Sequence, residues 1–176
     1  MILSKPLARY SLALVATFLL FALPLLQSCG IYTFSGAQIG TAKTISINFI
    51  QNKANLVSPT LSQVFTEKLK DKFIRETTLK LVDSDGDMQL SGTIIDYAIT
   101  PVALQGTTTT SQNRLTIKSN IKFTNKTEEK YNFDDVFQNF TDFDAAVNFT
   151  SQERALNETV IDMMVQDVFN KAVINW

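Results

Sequence analysis

The first 28 residues consist of a basic start and a long apolar run, and this division decides how much of the chain is left to fold. Lys5 and Arg9 carry the only charges, and Ser11 to Leu26 is almost entirely apolar. That pattern is typical of a cleaved secretory signal. The run is shorter than the roughly 20 residues that cross a bilayer comfortably, and Pro24 interrupts it. We therefore predict that residues 1–28 are removed and that the fold is built from the rest.

The sequence Leu26-Gln27-Ser28-Cys29 ends this segment and contains the only cysteine of the chain. It resembles the lipobox of bacterial lipoproteins, which implies a diacylglyceryl group on the Cys29 sulfur and an acyl chain such as palmitate on its new amino terminus. The alternative is an ordinary signal followed by a free thiol, but secreted chains seldom keep one unpaired cysteine. Several acyl chains anchor a protein firmly where one does not, since each buried CH₂ contributes about 0.8 kcal/mol. We interpret residues 29–43 as the lipidated tether.

Residues 44–176 have the length of one domain, and the residue types of the chain exclude several kinds of chemistry. With one cysteine no internal disulfide can form. With no histidine there is neither a Ser-His-Asp triad nor an imidazole ligand for zinc. These absences weaken an enzyme function without excluding it, and we expect no metal and no cofactor apart from the lipid. The net charge is slightly negative and there is no run of lysines or arginines, which argues against nucleic acid as a partner.

Hydrophobic periodicity predicts two helices and several strands. Helices are expected at residues 59–76, with Ser58 as N-cap, and from a capping box at Thr150–Glu153 to the C-terminus. The strands are expected at residues 44–50, 79–82, 88–100, 113–125 and 131–140. The turn Asp83–Asp87 would close a hairpin, and the last strand would contain a bulge. The fold class predicted is α+β, with two helices packed on one face of a mostly antiparallel four- to five-stranded sheet whose other face is polar and free.

Several short motifs, taken in order, resemble the LptE family of lipopolysaccharide-assembly lipoproteins, in the branch carried by Bacteroidota. They are Cys29–Gly36, Ser58–Ser62, Gly92–Tyr97 with Pro101, Asn113–Thr116 and Asn175-Trp176. The resemblance implies a single LptE-like domain without catalytic activity. It also implies a partner in the outer-membrane β-barrel LptD, which the domain plugs and helps to assemble, and contact with lipopolysaccharide on its way to the cell surface. Gly30 stands where aspartate would retain a lipoprotein at the inner membrane, so we expect an anchor in the outer membrane, on its periplasmic face.

Lipopolysaccharide presents phosphates and acyl chains, so a surface that binds it needs cations beside apolar area. Arg114, Lys118 and Lys122 fall on one face of the strand at 113–125, spaced about 13 Å per four residues. We predict that they contact lipid A phosphates or the barrel wall, the plain alternative being a solvated outer face. The polar loop Leu104–Gln112 is a second candidate for contact with the barrel.

Two functions of other classes stay open at this point. A periplasmic scaffold lipoprotein for another outer-membrane barrel would share the anchor and the fold. An envelope hydrolase would need paired carboxylates, and the chain offers Asp134 with Asp135 and Asp142 with Asp144. The segment is predicted as strand and turn, and exposed turn acids are the simpler explanation of those pairs. A pull-down of the lipidated protein from cell envelopes would separate the three functions.

Overall fold

The computed structural model describes residues 39–56, 58–102 and 111–174. Within these ranges the chain forms six strands, two α-helices and one short 3-10 helix. In chain order they are β1 (Thr44–Ile47), β2 (Gln51–Asn52), α1 (Leu61–Glu76), β3 (Lys80–Leu81), β4 (Met88–Val102), β5 (Gln112–Asn125), the 3-10 helix Glu129–Tyr131, β6 (Phe133–Asp144) and α2 (Phe149–Val173). The signal segment, Cys29 and most of the tether lie outside the described residues.

The six strands make one sheet in the order β3-β1-β4-β5-β6, with β2 beside β4. The long strands β4, β5 and β6 pair antiparallel over most of their length. The short strands β1, β2 and β3 add parallel pairs at one side. Helix α1 packs on the short strands, α2 packs on β5 and β6, and the two helices pack on each other. The predicted α+β class, with both helices on one face of the sheet, is confirmed.

The core lies between the helices and the sheet because each element presents one apolar face to it. In α1 the residues Leu61, Phe65, Leu69 and Phe73 recur every four positions and are fully or almost fully buried. In β5 every second residue from Leu115 onward is buried, as a strand with one covered face requires. Burying each large apolar side chain contributes roughly 1.5–3 kcal/mol, so this layer is the main source of stability.

The start of α1 differs from the prediction. The helix begins at Leu61, its N-cap is Thr60, and no side chain caps it. Ser58 lies outside the helix, where its hydroxyl accepts a hydrogen bond at 3.1 Å from the Asn157 carboxamide of α2. The serine therefore links the segment before α1 to α2, and it makes this long-range contact in place of the N-cap that its residue type favours.

The start of α2 also differs, because the capping box predicted at Thr150–Glu153 does not form. Asn148 is the N-cap, and its side-chain oxygen accepts a hydrogen bond from the Thr150 backbone N–H at 2.9 Å. Asparagine caps helices at least as well as threonine. The helix therefore begins two residues earlier than expected, and Glu153 is left free to approach the hydroxyl of Tyr97.

The turn Asp83–Asp87 does not close a hairpin, so that prediction is wrong. β3 and β4 lie on opposite sides of β1, and both run parallel to it. The Asp87 carboxylate accepts hydrogen bonds from the Lys43 N–H at 2.8 Å and from the N–H and hydroxyl of Thr44 at 3.0 Å. These bonds, that from Lys43 first, lower the pKa of Asp87. The turn thus holds the beginning of β1 in place.

The bulge predicted in the last strand is in a different strand. β5 and β6 pair without a register shift along the whole of β6, whereas the register between β4 and β5 shifts between Ile94 and Asp96. β4 also continues through Pro101 instead of ending before it. Pro101 pairs with Asn113 of β5, and no strand among the described residues pairs with the other side of β4 there, so β4 is an edge at this position, where proline is tolerated.

Candidate functional site

The sheet surface away from the helices, here called the open face, carries the three cations predicted from the sequence. The residues next to each cation along β5 are mostly buried, and the cations are four positions apart. Arg114, Lys118 and Lys122 therefore all point away from the core. Their placement on one face follows from the two-residue period of a strand. The row therefore exists as a geometric feature, and the acids of the neighbouring strands decide what it can bind.

Arg114 is fully engaged within the protein. Its Nε and Nη2 donate to the two carboxylate oxygens of Asp142 on β6 at 2.7 and 2.9 Å, and its guanidinium lies 3.7 Å from the ring centre of Phe140. The bidentate hydrogen bond raises the pKa of Arg114 and lowers that of Asp142. An arginine held from two sides in this way has little freedom to meet an incoming phosphate.

The two lysines are held less firmly. Lys118 Nζ lies 3.4 Å from the Asp96 carboxylate of β4, and both side chains remain about two-fifths exposed. Lys122 is exposed and, within the described residues, forms no ion pair. It lies across from Asp134, whose carboxylate accepts a hydrogen bond from the Asn120 side chain. Positive charge available to an anion therefore increases along the row from Arg114 to Lys122.

Two apolar side chains on β6 stand beside the cation row. Val136 is 58% exposed and pairs with Asn120, and Phe140 is 44% exposed and pairs with Thr116. Neither residue was predicted as part of the site, although alternation along β6 from the buried Phe143 places both on the open face. The cations can contact the charged part of an amphiphile while the exposed apolar side chains contact its apolar part.

The carboxylates considered for a hydrolase are each used in another way. Asp134 and Asp135 are neighbours in β6 and point to opposite faces, with Asp135 accepting a hydrogen bond from Lys171 of α2. Asp142 is bound by Arg114, and Asp144 accepts from a backbone N–H of the turn that follows. They lie in the strand instead of in a turn. Asp142 and Asp144 are two positions apart and therefore share a face of the strand, but each already accepts a hydrogen bond from within the protein.

The remaining predicted features fall at the limits of the described chain. Cys29 lies outside it, as does most of the loop Leu104–Gln112. Neither α1 nor α2 has the length and apolarity of a membrane-spanning segment, in the part of the chain that the structure describes. In that same part, no three acidic or cysteine side chains are grouped so as to hold a metal ion.

Comparison with known proteins gives one family match and several distant structural resemblances. A model of the LptE lipopolysaccharide-assembly family matches residues 42–172. The minor lipoprotein of Acinetobacter baumannii is 15% identical, with a TM-score of 0.48, and the match covers 74% of this chain and 91% of that one. Rare lipoprotein B of Shewanella oneidensis is 14% identical, with a TM-score of 0.43, over 73% of this chain and 90% of that one. No curated protein matches the chain.

The family match runs from just before β1 to the last turn of α2, well over half of the whole sequence. It therefore includes every strand of the sheet and the cation row on the open face. It also confirms the resemblance that the short motifs indicated. The chain belongs to the LptE family of lipopolysaccharide-assembly lipoproteins.

Proposed function

We propose that the chain is an outer-membrane lipoprotein that plugs an LptD-type β-barrel, assists its assembly and helps to deliver lipopolysaccharide to the cell surface. In this role acylated Cys29 holds the domain at the periplasmic face of the outer membrane. The family match supports a part in lipopolysaccharide assembly. The function needs binding surfaces instead of catalytic groups, and the arrangement of the β6 aspartates is consistent with that.

The observation that carries the proposal is the mixed character of the open face. Lys118 and Lys122 offer charge that is exposed and only weakly engaged, and the apolar side chains of Val136 and Phe140 stand on the next strand. Lipid A combines phosphates with acyl chains, so its phosphates would meet the lysines while apolar parts cover the β6 residues. Arg114 contributes by fixing Phe140 in place, since its guanidinium stacks on that ring.

A purified-protein assay tests the lysines. Reversing both charges, Lys118→Glu with Lys122→Glu, should raise the dissociation constant for lipopolysaccharide by about tenfold or more, because two charge-assisted contacts are lost. The matched control is Arg75→Glu with Lys80→Glu, an equal charge change at two exposed positions on α1 and β3. Unchanged affinity in the first variant contradicts the site. An equal loss in both variants would show that the attraction depends on net charge alone.

Co-purification from cell envelopes tests the partner. The lipidated chain should enrich one large β-barrel together with lipopolysaccharide, and Cys29→Ala should lower the yield because the anchor is lost. A different barrel without lipopolysaccharide would support a periplasmic scaffold function instead. Shortening the loop at residues 104–110 should weaken barrel capture if that loop touches the barrel interior. An unaltered yield counts against the loop.

A further inference from the structure

The sheet ends in a long strand with a free side. β6 has 12 residues, lies last in the strand order and pairs only with β5 among the described residues. The opposite edge is β3, which has only two residues. In an antiparallel pair, alternate backbone N–H and C=O groups point away from the partner strand. One side of β6 therefore presents a row of backbone groups that a further strand could pair with.

The middle of β6 lacks the features that usually protect an edge strand. Proteins discourage strand addition with prolines, bulges, lysines or very short edges. The six residues from Val136 to Thr141 contain no charge and no proline, and their pairing with β5 shows no register shift. An edge of this length and composition is suited to accept an extended chain.

A groove between β6 and α2 runs beside this edge. It has a volume of about 520 Å³, and its walls include Phe133 and Phe137 of β6 and Asn170 and Lys171 of α2. The ammonium of Lys171 lies 5.2 Å from the ring centre of Phe133 and 5.8 Å from that of Phe137. In strand addition, backbone pairing supplies affinity and pockets for alternate side chains supply specificity. Of the β6 residues, Phe133 and Phe137 line the groove, so side chains of an added strand that point to the helix side would meet it in the first half of the edge.

The charges of β6 indicate which chain can pair with it. The strand carries aspartates at positions 134, 135, 142 and 144, near its two ends, and no basic residue. A second copy paired with β6 in either direction would bring aspartates next to aspartates, and like charges across a strand pair are destabilising. Asp135 and Asp142 are already paired with Lys171 and Arg114. Asp134 and Asp144 form no ion pair among the described residues, so a strand with basic residues at its ends would meet these two acids favourably.

We propose that the edge of β6, with the groove beside α2, is a docking site for an extended segment of another protein. The segment has an uncharged centre with apolar side chains at alternate positions and basic residues at both ends. Strand addition requires neither lipopolysaccharide nor a barrel, so it can fail or succeed independently of the function proposed above.

The probe is a labelled synthetic peptide of alternating valine and threonine with lysines at both ends, mixed with the full chain in detergent. Fluorescence polarisation should show saturable binding. Hydrogen exchange should slow at alternate amides of β6, those that point away from β5. A peptide with aspartates at the ends should bind up to about fivefold more weakly, as expected for opposed like charges. Absence of binding, or exchange that slows elsewhere and not in β6, overturns the proposal.

A charge variant sharpens the test. Asp134→Lys should reduce the preference for the lysine-ended peptide, whereas Asp83→Lys, the same change in the exposed turn at the far side of the sheet, should leave it intact. Equal effects of the two variants overturn the role of the edge. If the outward amides of β6 are already protected in the free chain, the occupant is this chain itself. Protection that grows with protein concentration then indicates a second copy, and constant protection indicates a segment of the same molecule.

Discussion

The helix-covered face and the open face of the sheet use aromatic side chains in different ways. On the helix-covered side, Phe73 of α1 and Phe169 of α2 are buried, and their rings meet edge-on with centres 5.2 Å apart. On the open face, Phe140 is nearly half exposed and lies beneath the guanidinium of Arg114. The first arrangement stabilises the fold through burial. The second arrangement contributes little to stability, and it leaves the aromatic ring partly accessible to a ligand.

The largest expected effect is the loss of the buried ring. Phe73→Ala should lower the free energy of unfolding by about 3–5 kcal/mol, because it removes apolar contact and leaves a cavity. Phe140→Ala, the same change on the open face, should cost about 1 kcal/mol or less, since it removes an exposed cation–π contact. Urea denaturation of the purified chain measures both. Similar losses for the two variants would break the distinction between the faces.

A second prediction concerns the place where the open face is covered. Ser46 lies on the side of β1 opposite to the core residues Ile45 and Ile47, and the Gly86 N–H donates to its hydroxyl at 3.3 Å. A Cβ on Gly86 would lie 2.6 Å from the Ser46 backbone nitrogen. Gly86→Ala should therefore cost about 1–3 kcal/mol, because backbone must move to relieve the clash.

The control for this glycine is Ser84→Ala, a small change at an exposed position of the same turn. Thermal unfolding should show a clear fall in the midpoint for the glycine variant and almost none for the control. A tolerated alanine at Gly86 would mean that the turn can move away from β1 at little cost in stability.

A third prediction concerns a buried polar contact on the helix-covered side. The Tyr97 hydroxyl of β4 donates to the Asn157 side-chain oxygen of α2 at 2.9 Å. Tyr97→Phe keeps the ring but leaves that buried oxygen without its donor, which should cost about 1–2 kcal/mol at neutral pH. Denaturation of the two proteins side by side measures the difference. Equal stability would show that the hydroxyl contributes nothing to holding α2 on the sheet.

The contact between Tyr97 and Asn157 also predicts that the stability of the protein depends on pH in the alkaline range. Burial, and then the negative charge of Glu153, raise the pKa of Tyr97. The folded state therefore keeps the phenol proton at pH values where the unfolded chain loses it. The stabilisation is fully present below the ordinary tyrosine pKa of about 10 and declines as the pH rises above it. The stability advantage over Tyr97→Phe should narrow in that range, and a constant difference would contradict this account.

The sequence predicts which residues share one face of a strand better than it predicts their partners on the adjacent strands. Alternation along β5 is a local property, so the shared face of Arg114, Lys118 and Lys122 could be read directly. Their acidic partners could not, because partnership depends on register between strands. The register shift in β4 places Asp96 opposite Lys118, and no local pattern in the sequence predicts that shift.

The short strands show the same limit. Alternation predicts that β1 is a strand, but it does not tell whether a neighbouring strand runs parallel, so the sequence predicts a hairpin at Asp83–Asp87 in place of the parallel pairs. The start of α1 could not be predicted for a related reason. Ser58 makes a tertiary hydrogen bond with Asn157 in place of the local cap that its sequence context favours.

The smallest expected effect is at the ion pair between Arg114 and Asp142. Although bidentate, it is about one-third exposed on both sides, so solvent screening should limit the cost of Asp142→Asn to roughly 0.5 kcal/mol. The lowered pKa of Asp142, caused by Arg114, means that this stabilisation is present above the ordinary aspartate pKa of about 3.9 and is lost as the pH falls below it. The variant and the parent should therefore converge in stability in acid.

The same variant tests what the open face is for. Asp142→Asn releases Arg114 from its carboxylate and adds one unit of positive charge to the row, so affinity for lipopolysaccharide should rise or stay the same while stability barely changes. A matched Asp71→Asn, which makes the same charge change on the exposed side of α1, should leave binding unaltered. A loss of stability above about 2 kcal/mol for Asp142→Asn would exceed what an exposed pair provides. The open face would then be part of the framework of the fold, and the contrast between the two faces would no longer hold.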